Sequence, residues 1–349
     1  MKFLVCGDYH CRNKPDGAFY TYRKLVRATT LKAEREGCSF IFHCGDLIHE
    51  KHCVLVDLLI MLYTEFEFAQ TKGVRWVLMP GNHDIPAKHK PTQCILHLFK
   101  KVAVVYINRA QLKGPGWSIY LNPWRLPEAF KAQSKELYIW SKSDINPFKL
   151  QLAHIGLAEG LLSPSNTYRA PSAIRVVDLY PGAYTMTMCA DYHTTQTLHD
   201  KLMYMGAPIA HMHGDAPNQG VWIVDTQTAS FRQTDLPGTW PEFFTYNLTT
   251  KQDLGVLPHN NYKLRVSSEL RPFYELQFGG KPNVKIEVVG EGLQKVPTAR
   301  RLEGINDGDN RSILKIWLQK KGYTDPAYYE AGDEYLSKAE GWLFEHRAG

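Results

Sequence analysis

The chain lacks most of the features that would place a protein in an obvious class. Its seven cysteines in 349 residues are scattered, with no pair at Cys-x-x-Cys spacing. No disulfide framework is expected, and an odd count without one favours a reducing compartment. Long hydrophobic runs are missing too: the longest, within Val54 to Met61, contains Asp57 and is too short to span a membrane. Met1 leads directly into an apolar run that reaches Asp8, which leaves no room for a signal peptide. A soluble, cytoplasmic protein without membrane association is the expectation. There is no internal repeat and no low-complexity tract. Charge of one sign is also modest, at a net +6, which permits an acidic partner such as nucleic acid without requiring one. Apolar (44%) and charged (22%) fractions are ordinary for a globular protein, and the length allows one large domain plus something smaller.

What the chain does have is a set of metal-ligand residue types placed where strand-like runs end. Asp8 and His10 follow Lys2 to Gly7, and Gly45-Asp46 follows Phe40-Ile41-Phe42. Gly81-Asn82-His83-Asp84 follows Val74 to Met79, His154 follows Leu150 to Leu152, and Asp191-Tyr192-His193 follows Tyr184 to Cys189. The carboxyl end of a strand is where open α/β sheets place ligand sites. Asp, Asn and His offer oxygen and nitrogen donors suited to manganese, zinc or iron. The spacing of Asp8 and His10 lets both side chains of an extended segment reach one ion. Asp46 adds a carboxylate able to bridge two, although Gly-Asp alone is a common turn pair. Gly81-Asn82-His83-Asp84 is more specific, with a tight turn, an amide oxygen for a metal, and a histidine able to donate a proton to a leaving oxygen. Two ions roughly 3.5–4 Å apart suit in-line attack at phosphorus, so the set points to a phosphoester hydrolase.

The first 230 or so residues alternate strand-like and helix-like segments, which predicts a layered α/β domain over 1–235. Tyr22, Leu25, Val26, Thr29 and Ala33 recur at helical spacing, and Val54 to Thr71 reads as a helix apolar enough to be well buried. Asn13–Gly17 and Gly160–Gly182 read as long loops. The pattern breaks at Leu236-Pro237-Gly238-Thr239-Trp240-Pro241. Beyond it, Tyr262-Leu264-Val266 and Val284-Ile286-Val288 alternate as half-buried strands of a small α+β unit, 236–303, made basic by Lys263, Arg265, Lys285, Arg300 and Arg301. After the polar stretch Glu303–Asn310, a segment over 304–349 reads as two helices, with Ile313, Ile316 and Trp317 on one face of the first and Leu336, Ala339 and Leu343 on one face of the second.

In this order, Asp-x-His, Gly-Asp and Gly-Asn-His-Asp resemble the signature of the calcineurin-like metallophosphoesterase superfamily. The resemblance implies an α/β (α+β layered) fold, a β-sandwich flanked by helices, with a dinuclear metal centre at one edge. It implies a first ion held by Asp8, His10, Asp46 and the last His of a Gly-His-x-His motif, here His193. A second ion would be held by Asp46, Asn82, His154 and the first His of that motif. The chain departs from the pattern there: the segment reads Ala190-Asp191-Tyr192-His193, with Asp191 where a His is expected. A carboxylate can still coordinate, but it adds negative charge and makes the second ion a weaker Lewis acid. A rival alignment draws His211-Met212-His213 into the site instead.

Tyr204-Met205-Gly206-Ala207-Pro208 and Gly220-Val221-Trp222-Ile223-Val224-Asp225 look like the tail of the SbcD-type recombination nucleases, and His49, three residues after Asp46, strengthens the likeness. That resemblance covers about residues 1–230 by motif and the remainder by architecture only. It implies a DNA exonuclease or endonuclease subunit with two divalent ions, Mn2+ first and Mg2+, Fe2+ or Zn2+ as alternatives. His83 would assist the departing oxygen and His49 would help place the phosphate. DNA would contact the small α+β unit, the terminal helices would dock on an SbcC-type ATPase, and the chain would form a homodimer. The terminal helices could equally pack on the protein's own core. Two other functions stay open: a phosphatase or small-nucleotide hydrolase on the same core, and a DNA- and ATPase-binding scaffold whose chemistry Asp191 has blunted. His43 and His52 could stand behind the ligands; His89, His97, His199 and His259 read as surface residues, and the cysteines as small core residues.

Overall fold

The computed structural model describes residues 1–12, 18–86, 93–162, 172–213, 215, 219–238, 240–256, 260–281 and 283–289. The expected loop 13–17, His89, His259, Arg300, Arg301, the stretch 303–310 and the two terminal helices lie outside them, as do residues 163–171 of the loop expected at 160–182. The chain divides into two units, Met1–Val288 and Val289–Gly349, and the described helices and strands all lie in the first.

Two six-stranded sheets form the body of that unit. The first runs β12 (Ser230–Thr234), β11 (Val221–Asp225), β1 (Lys2–Cys6), β2 (Phe40–His43), β3 (Arg75–Leu78), β4 (Val104–Val105). The second runs β5 (Ala110–Gly114), β6 (Trp117–Asn122), β7 (Phe148–His154), β8 (Met186–Ala190), β10 (Leu202–Tyr204), β9 (Gln196–His199). β1, β2, β3 and β4 pair in parallel, as do β6, β7 and β8. Parallel neighbours bring their carboxyl ends to one edge, which gathers the ligand-bearing loops.

The two-residue period of a strand explains the layering. Phe3, Val5, Phe42 and Val77 from the first sheet pack against Ile119, Leu121, Leu150, Leu152 and Met188 from the second, forming the core between the sheets. The alternate residues Leu4, Cys6, Ile41, Trp76 and Leu78 face outward onto α1 (Ala18–Arg35) and α2 (Val56–Thr71). Strands buried on both faces read as continuous apolar runs, which is how these appear in the sequence. Phe130 and Leu137 of α3 (Pro127–Lys142) are buried against the outer face of the second sheet.

The helical spacing from Tyr22 to Ala33 falls in α1, and all five of those residues are buried. The second helix departs from expectation. Leu58, Leu62, Phe66 and Ala69 are buried, but Val56 is 66% and Ile60 59% exposed, so its burial is one-sided. Around the sequence break, Leu236 and Trp240 are buried in the same core as α1. Past it, β13 (Phe243–Leu248), β14 (Asn261–Val266) and β15 (Val284–Val288) make a parallel three-stranded sheet with α4 (Arg271–Phe278) between its last two strands. Leu248, Tyr262, Leu264, Val266, Tyr274 and Phe278 form a separate small core there.

Candidate metal centre

The loops after β1 and β2 are laid side by side by main-chain hydrogen bonds. Asp8 N donates to Gly45 O (2.9 Å), His10 N to Asp46 O (2.9 Å) and Cys11 N to Leu47 O (2.9 Å), and His49 N returns to Cys11 O (3.0 Å). The parallel pairing of the strands thus continues past their ends and sets the register of four site residues. The backbone is left-handed at Asp8 (φ 55), His10 (φ 44), Asp46 (φ 56) and Asp191 (φ 105). Such conformations are uncommon outside glycine and gather at functional sites.

Asp84 locks the third loop onto the second. Its buried carboxylate accepts from the N–H groups of Gly81 (2.9 Å), Asp46 (2.8 Å), Leu47 (3.4 Å) and Ile48 (3.2 Å). Burial, aided by neighbouring Asp46, pushes its pKa up to about 7 against the pull of those N–H groups. Its place in the Gly-Asn-His-Asp motif is visible in the sequence, but its task is not. A Cβ on Gly81 would collide with the Asp46 carboxylate and one on Gly45 with the His154 ring, so both positions require glycine.

The nine residues expected at the site come together around Asp46. On one side its Oδ2 lies 3.5 Å from His10 Nε2, which lies 3.1 Å from His193 Nε2. On the other its Oδ1 lies 3.5 Å from His154 Nε2, which lies 3.6 Å from Asp191 Oδ1. Asn82 presents its amide oxygen to His154 Nε2 at 3.3 Å and to the two Asp46 oxygens at 3.1 and 3.3 Å. Asp8 joins both halves: donor atoms of Asp8, His10 and His193, and of Asp8, Asp46 and His154, cluster within 4.8 Å of one another. Asp191 stands where the expected histidine would, within reach of His154.

His83 and His49 lie beside this set. His83 N donates to Asp46 Oδ1 (2.8 Å), and its Nδ1 to the carbonyl of His49 (2.6 Å). A carbonyl only accepts, so Nδ1 carries the proton and Nε2, 4.0 Å from Asp46 Oδ2, faces the centre. Burial holds the His83 pKa below its ordinary value, which makes its imidazolium a readier proton donor. The His49 ring stacks on His83 at 5.0 Å and its Nδ1 lies 3.3 Å from His10 Nδ1.

Of the rival pair, His211 is buried beneath the site, its Nε2 on the carbonyl of Asp8 (2.6 Å) and its ring 5.4 Å from those of His10 and His193. His213 turns away, its ring 5.2 Å from Phe243. Asp215 accepts from His193 Nδ1 (3.2 Å); nothing in the sequence marks it. His43 is buried with neither ring nitrogen hydrogen-bonded, packed edge-on to Tyr9, and His52 and His199 are exposed. Cys6, Cys44 and Cys189 are buried.

The donor set fits a pair of divalent cations. Asn82 Oδ1 facing the Asp46 carboxylate sets acceptor against acceptor, an arrangement that a cation between them reconciles. The charge balance agrees. Burial drives His154 down, yet Asp46, Asp191 and Asp8 outweigh it and lift its pKa to about 10. Burial likewise pushes Asp46 up to about 7, and His193, lowered by burial but raised more by Asp215 and Asp8, reaches about 8. The site is short of positive charge. Asp8, His10, Asp46 and His193 would hold one ion, and Asp46, Asn82, His154 and Asp191 the other.

The family model described as calcineurin-like phosphoesterase matches residues 1–179, just over half of the chain. No curated protein matches it. Among solved structures, the chain is similar to a dimetal phosphatase from Danio rerio (LOC 393393), with 11% identity, 64% of this chain and 91% of that one covered, and a TM-score of 0.42. No helix among the described residues is long and apolar enough to cross a membrane. With its mixed sheets flanked by helices and its two-metal donor set, the chain belongs to the calcineurin-like phosphoesterase family and is a metal-dependent phosphoesterase.

Proposed function

We propose that the phosphoester this enzyme cleaves is the backbone of DNA, and that the chain is a manganese-dependent nuclease subunit of the SbcD type, working in the cytoplasm. One observation carries the reading. The small sheet sets Lys263, Arg265 and Lys285 around a single carboxylate, Glu287 (3.5, 3.5 and 2.9 Å), so the patch keeps a net positive charge. The same three cations help hold the pKa of His213 down, after burial, and Thr245 Oγ1 lies 3.5 Å from His213 Nδ1. His213 belongs to the segment whose His211 supports Asp8, so the basic patch adjoins the metal centre. Lysine and arginine beside a phosphoesterase centre suit a polyanion gripped by its phosphates without base reading.

Bound cations supply polarisation of a phosphate oxygen and a lowered pKa for the attacking water. The chain supplies the rest. Asp46 fixes the separation of the two donor sets. His83 holds Nε2 toward the scissile group, ready to protonate the departing sugar oxygen, and His49 stacks behind it to position the phosphate. The half-open face of α2, with Leu55, Val56 and Ile60 exposed, suits a second copy of the chain. Residues 304–349 would dock on the SbcC-type ATPase.

The test is cleavage of end-labelled duplex DNA with added manganese, beside bis-p-nitrophenyl phosphate and p-nitrophenyl phosphate. Cutting of DNA and of the diester, both lost in His83→Ala, is expected. Rapid hydrolysis of the monoester with DNA left intact would establish a phosphatase instead. DNA binding without cleavage of any ester at saturating manganese, with the ATPase present, would establish a scaffold.

A further inference from the structure

The two halves of the metal centre differ in what stands behind their histidines. His154 is backed by a neutral group, its Nδ1 donating to the carbonyl of Cys44 (2.7 Å). His193 is backed by a carboxylate, Asp215 Oδ2, at 3.2 Å from Nδ1. That oxygen also accepts from the main-chain N–H of His211 (2.8 Å) and of Met212 (3.1 Å). The Asp215 side chain is 6% exposed, and His211, on the same segment, donates from Nε2 to Asp8 O at 2.6 Å. One short segment therefore grips two ligands of the same ion, His193 through a side chain and Asp8 through its main chain. Those two ligands lie 185 residues apart in the sequence (193 − 8).

We infer that Asp215 is a positioning residue of the first metal site. By accepting the hydrogen bond of His193 Nδ1–H it fixes the tautomer, leaves the Nε2 lone pair for the ion shared with Asp8 and His10, and makes that nitrogen a stronger donor. Partners of this kind behind a metal-bound histidine are worth about 10–100-fold in metal affinity. The second site has no carboxylate behind His154, so the effect belongs to one ion of the pair. The inference rests on the two-metal centre and is independent of the substrate.

The experiment is calorimetric titration of manganese into the full-length metal-free protein, with electron paramagnetic resonance following the spin-coupled pair. Asp215→Asn keeps an oxygen for the N–H groups of His211 and Met212 but loses the charge. It should bind one ion as the wild type does and the other 10–100-fold more weakly, with the coupled signal lost at two equivalents. Asp215→Glu should recover part of that affinity, and His154→Ala should lose the other ion. Two unchanged affinities in Asp215→Asn would overturn the inference. So would equal weakening of both sites together with a lower melting temperature of the metal-free protein, the sign of a merely structural residue. A wild-type chain that binds no manganese would sink the metal centre itself, and this inference with it. DNA cleavage does not enter the readout, so a wrong substrate leaves the result intact.

Discussion

The two sheets contribute to the metal centre in different ways. The first sheet supplies Asp8, His10, Asp46, His49, Asn82 and His83 from three adjacent loops bound to one another through the main chain and Asp84. The second supplies His154 from the last position of β7 itself, and Asp191 and His193 from the loop just past β8. One half is a network of bent backbone; the other begins as regular strand. A pair of ions between them would tie together sheets that also meet through apolar packing and through hydrogen bonds such as His154 Nδ1 to Cys44 O (2.7 Å) and Asp191 N to Asp8 Oδ2 (3.2 Å).

The sharpest way to break this comparison is to remove its hinge. Asp46→Ala strips an oxygen from each half, and should lower kcat by on the order of 10³-fold in steady-state assays, the upper end for loss of one preorganised group. A drop below tenfold would mean that the halves work apart. Next comes chelation. Each ion present at about a thousandfold excess over its Kd adds about 4 kcal/mol, so stripping both should lower the melting temperature by on the order of 10 °C. His154→Ala should cut that stabilisation to about half. Asp84→Ala tests the first sheet alone. It leaves buried N–H groups without an acceptor, at about 3 kcal/mol, read from urea unfolding of the metal-free protein; a neutral result would deny the network its role.

Protons offer a finer probe. His154 at about 10 and His193 at about 8 both lie above neutrality, so each carries a proton at pH 7 before metal binds. Ligands must shed those protons, and Asp46, pushed up to about 7, sheds part of a third, so loading both sites should release roughly two to three protons and affinity should rise with pH. Calorimetry in buffers of different ionisation enthalpy counts them, and no release would contradict the charge balance. The smallest effect is expected of Asp191→His, which removes one negative charge from the second site. It should change the rate by under about tenfold and shift preference from manganese toward zinc, measured by metal-dependence profiles.

Much of the first sheet's half could be read from the sequence, because Asp8, His10, Asp46, Asn82 and His83 sit in compact motifs just past apolar runs that become β1, β2 and β3. The fold class followed from the same alternation. Position 191 was legible as a departure, and the structure sets its carboxylate beside His154. Legibility failed where the determinant is a contact across the chain. Asp84 acts through N–H groups of a loop 36–38 residues away, and Asp215 through a ring 22 residues earlier. Asp84 is visible within its motif but its task is not, and Asp215 leaves no local pattern. Val56 and Ile60 were misplaced for a related reason: apolar residues all around α2 hide which face the sheet covers.

The pairing of β1 with β11 has a consequence for how the enzyme is made. Lys2 lies opposite Asp225, so β1, made before the other strands of the sandwich, waits for β11, one of the last of them. Contacts so far apart in the chain form late, since their loop must close before they return any stability. His193 and Asp215 are made shortly before β11. The metal ligands are complete only when residue 193 has been made, more than half of the way along the chain, and β1 then still lacks its partner β11, which begins at Val221.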